Sequence, residues 1–113
     1  MSDADVLASL YFDTMDIYRK IKVVNKYGIT ELQEKRIASK VRCSLDKADN
    51  VIAKGEIANI VATYKLFCRP TVDIKVGDKL IITYNGVTAI FEAGEPYPYQ
   101  SHLEIPVTKG DRV

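Results

Sequence analysis

Few residues in this chain have types and spacing that could do chemistry. His102 is the single histidine, and Ser101 stands next to it. A histidine that activates a serine needs hydrogen-bond contact with the hydroxyl and a carboxylate to orient the ring. Neighbours on a strand point to opposite faces, so the expectation for His102 is a half-exposed residue at a strand start. Glu92, Glu95 and Glu104 do not form a carboxylate pair suited to acid–base work. Cys43 and Cys68 fit no zinc spacing, and one histidine cannot complete such a site. Both lie in strand-like runs, which favours two small buried hydrophobes over a disulfide or a reactive thiol. There is no P-loop, no dinucleotide-binding glycine pattern and no nucleophile elbow. A non-enzymatic protein without cofactor or metal is the expectation.

A nucleic-acid site would need aromatics interleaved with basic side chains on one sheet face. Tyr18 with Lys20 and Lys22 is the best candidate, supported by Arg36, Lys40 and Arg42 on the outer face of another strand. The whole-chain balance argues against generic nucleic-acid binding. Sixteen Lys and Arg face 15 Asp and Glu, for a net charge of +1. At 113 residues, 47% of them hydrophobic, the chain is expected to be one globular domain, 1–113, able to bury its own core. No signal peptide or membrane span is visible, so a reducing cytoplasm is the expected compartment.

The elements that must position these residues are mostly strands. Over 14–24, Met15, Ile17, Ile21 and Val23 share one face, and Asp16, Tyr18, Lys20 and Lys22 the other. Arg19 falls on the apolar face and marks either a bulge or an exposed edge. "NKYG" (25–28) is a turn. Over 35–45, Ile37, Val41, Cys43 and Leu45 point one way beneath a basic outer face. Residues 59–69 are apolar on both faces, which calls for cover from a second layer or a subunit. The runs 79–84 and 87–93 flank Asn85–Gly86 and read as a hairpin with a type I′ turn. In "GEPYPYQ" (94–100), Pro96 and Pro98 hold Glu95 and Tyr97 extended, so the segment reads as a rigid crossover that presents Tyr97 and Tyr99. Residues 102–108 form the last strand, where Pro106 suits an edge.

Two segments break the strand pattern. Residues 1–13 read as an N-terminal arm with a short helix capped by Ser2 or Asp3, too short to persist unless it packs on something. "DKADNVIAKGEI" (46–57) reads as an irregular loop or a helical turn. Six strands without a βαβ rhythm imply an all-β, antiparallel fold, a small barrel or a sandwich.

The stretch "VDIKVGDKLIITYNGVTAIFEAGEPYPYQSHLEIPV" (72–107) resembles the C-terminal half of tailed-phage head-closure proteins, also called stopper or head–tail joining proteins. They occur in prophages and in defective phage-like elements of Gram-positive bacteria. The resemblance rests on Gly77–Asp78 before an apolar strand, the tip Asn85–Gly86, "GEPY" (94–97), and His102 with Glu104 leading into the last strand. The order of the N-terminal half agrees, with a strand like "MDIYRKI" and a strand ending at "CSL". The resemblance implies a small β-barrel of about six strands, with a short N-terminal helical segment and a long inserted loop. It implies a homo-oligomeric ring at the virion head–tail junction, assembled in the bacterial cytoplasm. That ring would close the DNA exit channel, bind the adaptor or portal ring and tail proteins, and meet DNA only by enclosing it, with no membrane partner. By position, the channel loop would be 46–57, including Asp46, Lys47, Asp49, Asn50, Val51, Ile52, Lys54, Gly55 and Glu56. Its interface candidates are Leu7, Leu10 and Tyr11 of the arm, Phe67 on the second face of 59–69, and Tyr97, Tyr99 and His102.

Overall fold

Alternation of apolar and polar residues produces seven strands that are all joined by antiparallel pairing. They are β1 (Asp13–Val24), β2 (Thr30–Lys54), β3 (Ile57–Cys68), β4 (Lys79–Tyr84), β5 (Val87–Ala93), β6 (Tyr97–Pro98) and β7 (Leu103–Lys109). A six-residue helix, α1 (Asp3–Ala8), precedes them. The computed structural model describes residues 3–8, 10–54 and 57–110, with the side chains of these except 5, 7, 8, 49–54 and 57–62.

The strand order is β3-β2-β1-β4-β5-β7-β6, and β3 also pairs with β7. The sheet therefore returns on itself as a ring of six strands, with β6 laid against β7. The inward rows supply the core: Met15 and Ile17 from β1, Leu66 from β3, Leu80 and Ile82 from β4, Ile105 from β7. Phe91 sits at the centre, fully buried, with its ring edge-on to Tyr64 at 5.2 Å and to Tyr84 at 6.2 Å. Burying such side chains is worth roughly 2–3 kcal/mol each, which is the main force holding the ring together. Cys43 and Cys68 are opposite one another on β2 and β3, reduced and fully buried. Burial pushes the Cys68 thiol up to about 12 and raises that of Cys43, so both stay protonated and inert.

The β4–β5 turn is the expected hairpin, with Asn85 and Gly86 both at positive φ. Two other expectations are corrected. β7 is not an edge strand, because it pairs with β3, β5 and β6. Pro106 is tolerated there because it sits where the neighbour of β7 changes from β6 to β5, and no ladder donor is required of it. Its carbonyl accepts the Gly94 N–H at 2.7 Å. A Cβ on Gly94 would lie 2.9 Å from both that oxygen and the proline ring, so this crossover needs glycine.

The second correction concerns 46–57. Asp46–Lys54 is neither irregular nor helical. It continues β2 and pairs with β3 from Asp46↔Lys65 to Lys54↔Ile57. Asp and Asn are poor in central strands, but most of this ladder has only two strands, so polar side chains can meet water. Val51, Ile52 and Ile57 add β-branched residues. Gly55 and Glu56 lie outside the described residues.

β2 thus extends past the ring in both directions. Its first half, together with the far end of β1, makes a second two-stranded hairpin. β1 pairs with β4 only from Thr14 to Tyr18, while its pairing with β2 runs on to Val24↔Thr30. Register shifts opposite Met15–Tyr18 mark bulges in β2. Lys40 takes positive φ at one of them, and its N–H donates to the Asp16 carboxylate at 2.8 Å.

Candidate interaction surfaces

The two ends of β1 carry different chemistry. At its start, Leu10 and Tyr11 lie beside Ser44 of β2 and Phe67 of β3, which face one another across the two strands. Arg42 Nε donates to the Tyr11 carbonyl at 3.2 Å, and the Leu45 N–H donates to Asp13 Oδ2 at 2.9 Å. Leu10, Tyr11, Ser44, Phe67 and His102 line a cleft of about 280 Å³. The crossover before β7 supplies one wall. Tyr99 stacks on His102, with centroids 4.7 Å apart and planes 15° from parallel, and its N–H donates to the His102 carbonyl at 2.8 Å. Tyr97 packs on Tyr99 at 4.9 Å, and Phe67 lies 5.7 Å from His102.

Most of the interface candidates read from the sequence therefore meet at one place. Leu10, Phe67, Tyr97, Tyr99 and His102 gather around this cleft. Tyr11 lines the cleft as well, but it is only 5% exposed, and burial holds its phenol above the ordinary range. The Leu7 side chain lies outside those described. Phe12, not singled out in the sequence, is the most exposed large apolar residue described, at 82%. Its signal was the apolar run "LYF" before Asp13, in which only one ring can face inward.

Ser101 and His102 depart from the strand-alternation argument. The Ser101 hydroxyl lies 3.0 Å from His102 Nδ1. The two residues precede β7 in a bend, so alternation does not apply to them. Both are half-buried, and the imidazole faces are occupied by Tyr99 and Phe67, an arrangement that orients the ring as a packing element.

At the ring's other end, Arg19 is the first residue of β1 beyond β4, and it is neither solvated nor apolar in its contacts. Its Nε and Nη2 reach the two oxygens of Asp78 at 2.9 and 2.8 Å, and Nη2 also donates to Asp73 at 3.1 Å. Asp78 is 2% exposed and accepts the Lys75 N–H as well. Hydrogen bonds to Asp78 first, and Asp73 next, raise the Arg19 pKa, while the bond from Arg19 holds the Asp73 carboxyl below its ordinary value. Lys79 pairs with Glu34, and its ammonium lies 5.2 Å from the Tyr18 ring. A cleft of about 440 Å³ opens here, but its charged groups are largely committed to one another. Tyr18, Lys20 and Lys22 do share a face, yet their cross-strand neighbours are Arg36, Glu34 and Leu32, so the basic stripe is interrupted. Among the described residues no cluster of His, Cys, Asp or Glu could hold a metal.

Beyond Arg19 the β1–β2 hairpin exposes Val24, Tyr27, Ile29 and Leu32, each 59–75% accessible. Its turn is fixed by Asn25, whose side-chain oxygen accepts the Tyr27 and Ile29 N–H groups and whose amide donates to Glu31. Gly28 takes the positive φ that the turn requires. Sequence reasoning identified this turn but not the apolar surface around it.

No family profile and no curated protein matches the sequence. Among solved structures, the chain is similar to the phage-like element PBSX protein xkdH from Bacillus subtilis. The identity is 16%, the TM-score is 0.56, and the match covers 88% of this chain and 96% of that one. At this identity the likeness is one of fold. No helix among the described residues is long and apolar enough to cross a membrane.

Proposed function

We propose that this chain is a non-enzymatic structural protein of a phage or prophage, acting at the head–tail junction of the particle. The observation that carries the proposal is the shared fold with a phage-element protein over nearly the full length of both chains. The motif resemblance over 72–107 points the same way. The exposed apolar surface at both ends of β1 is what a subunit made for assembly would carry. In this reading, copies form a ring that closes the DNA exit channel, docked between the portal or adaptor ring and the tail. The β2–β3 extension, from Asp46 to Lys54 and from Ile57 onward, is the segment that enters the channel. It does so as a paired arm, so any obstruction of DNA would be steric.

The test is genetic and microscopic. Deleting the coding region should give DNA-filled or leaking heads without attached tails, and the full chain supplied in trans should restore joined particles. Gold-labelled antibody should mark the neck. Normal tailed particles from the deletion strain would overturn the proposal.

A further inference from the structure

Cys43 and Cys68 play no part in the surfaces above, yet the fold sets them face to face. They are register partners at the end rung of the β2–β3 ladder. Cys43 is also the partner of Asp13 on β1, and Cys68 the partner of Leu103 on β7. The pair therefore sits on the seam across which the ring closes. Both residues are fully buried members of one core cluster, so both side chains point inward. The kind of rung is fixed as well. A residue in an antiparallel ladder turns its N–H and C=O to the same side, and that side alternates along the strand. Two residues past Cys43, the Leu45 N–H is turned away from β3 to Asp13 Oδ2. Cys43 shares that orientation, so it and Cys68 form a rung without mutual backbone hydrogen bonds. In such rungs the Cα atoms are about 4.5 Å apart and the side chains are at their closest. A disulfide spans Cα separations of about 4.4–6.8 Å.

We propose that Cys43 and Cys68 form a disulfide within the native fold when the chain meets an oxidising environment, stapling β2 to β3 across the seam. The oxidant is a small-molecule disulfide such as oxidised glutathione. One cysteine sulfur attacks it, releasing one small thiol and leaving a mixed disulfide. The other cysteine then attacks the bonded protein sulfur and releases the second small thiol. Two electrons pass to the oxidant, and the two protons lost by the cysteines end on the released thiols. In the closed fold both protein thiols are shielded and protonated. Exchange therefore runs on the folding chain or when the seam opens, not by direct attack on the native core. A reducing cytoplasm keeps the pair open during assembly, and a particle released from the cell meets conditions that close it. Only this timing rests on the structural-protein reading above. The bridge fastens both the ring closure and the root of the β2–β3 extension, which begins just beyond at Asp46.

Refolding the full chain tests it, with oxidised glutathione in one sample and reduced glutathione in the other. Oxidised refolding should give a monomer lighter by two hydrogens, with no thiol left to titrate in denaturant. It should melt about 10 °C above the reduced protein, because the bridge restricts the unfolded chain. Added instead to the folded, reduced protein, oxidised glutathione should act about tenfold more slowly, and mild denaturant should speed it. Cys43→Ala and Cys68→Ala each keep one thiol and should melt alike in both buffers. The wild-type comparison needs no variant, so it decides the matter if either replacement fails to fold.

Two free thiols after oxidative refolding would overturn the proposal. So would glutathione adducts or cross-linked dimers in place of the internal bridge, or a bridged chain that melts below the reduced one. None of these results touches the deletion and neck-labelling experiments. Normal tailed particles from the deletion strain would in turn leave the bridge standing.

Discussion

The Arg19 end and the Phe12 end of β1 solve opposite problems. At the Arg19 end, ionised groups leave water, and a buried charge must be paired inside the same subunit or the fold fails. Arg19 grips Asp78 and Asp73, the Lys75 N–H completes Asp78, and Lys79 takes Glu34. At the Phe12 end the surplus is apolar. Exposed rings do not force a partner within the chain, so Leu10, Phe12 and Tyr97 are left facing outward. A pocket with satisfied charges is thus a structural clamp, although it is the larger of the two, while the smaller aromatic cleft is the one suited to a partner.

The largest effect that separates the two ends is expected from Asp78→Ala. It leaves Arg19 and the Lys75 N–H without their buried acceptor and should cost about 3 kcal/mol in chemical denaturation. A loss below about 1 kcal/mol would mean that the clamp does not hold this end together. Tyr99→Ala removes the stack on His102 and should cost about 1 kcal/mol, measured the same way. Phe12→Ser should change stability by less than about 0.5 kcal/mol while it weakens association, which stability and sedimentation measurements on one sample resolve.

Acid provides the mildest probe. Asp73 is held below its ordinary value by Arg19, so the unfolded chain takes up the proton first as pH falls. Its contribution is present above the unfolded carboxylate pKa and fades as pH drops through the lower folded value. Asp73→Asn should flatten that part of the stability–pH curve, whereas Phe12→Ser should leave it unchanged.

Much of the ring was legible in the sequence because strand alternation is a local signal. Met15 and Ile17, Leu80 and Ile82, and Leu103 with Ile105 and Val107 all fall on the buried side as their period requires. Asn85–Gly86 specified its own turn. The segment 46–54 was less legible, because Asp46, Asp49 and Asn50 are read as loop residues unless a partner strand is known. Arg19 was ambiguous for a similar reason: its acceptor Asp78 is 59 residues away. Phe67, Tyr99 and His102 could be named as outward or interfacial, but not as neighbours, because β3 and the crossover meet only through β7.

By itself, the sequence determined an all-β antiparallel chain, the period-two core, the tight hairpin and a crossover stiffened by Pro96 and Pro98. These follow from local sterics and from which side of a strand is apolar. Only the tertiary structure decided that β3 returns to β7, that β2 extends past the ring at both ends, and that one cleft is self-paired while the other is open. Those outcomes depend on contacts between residues far apart in the chain, and no local pattern encodes which distant partner a side chain will meet.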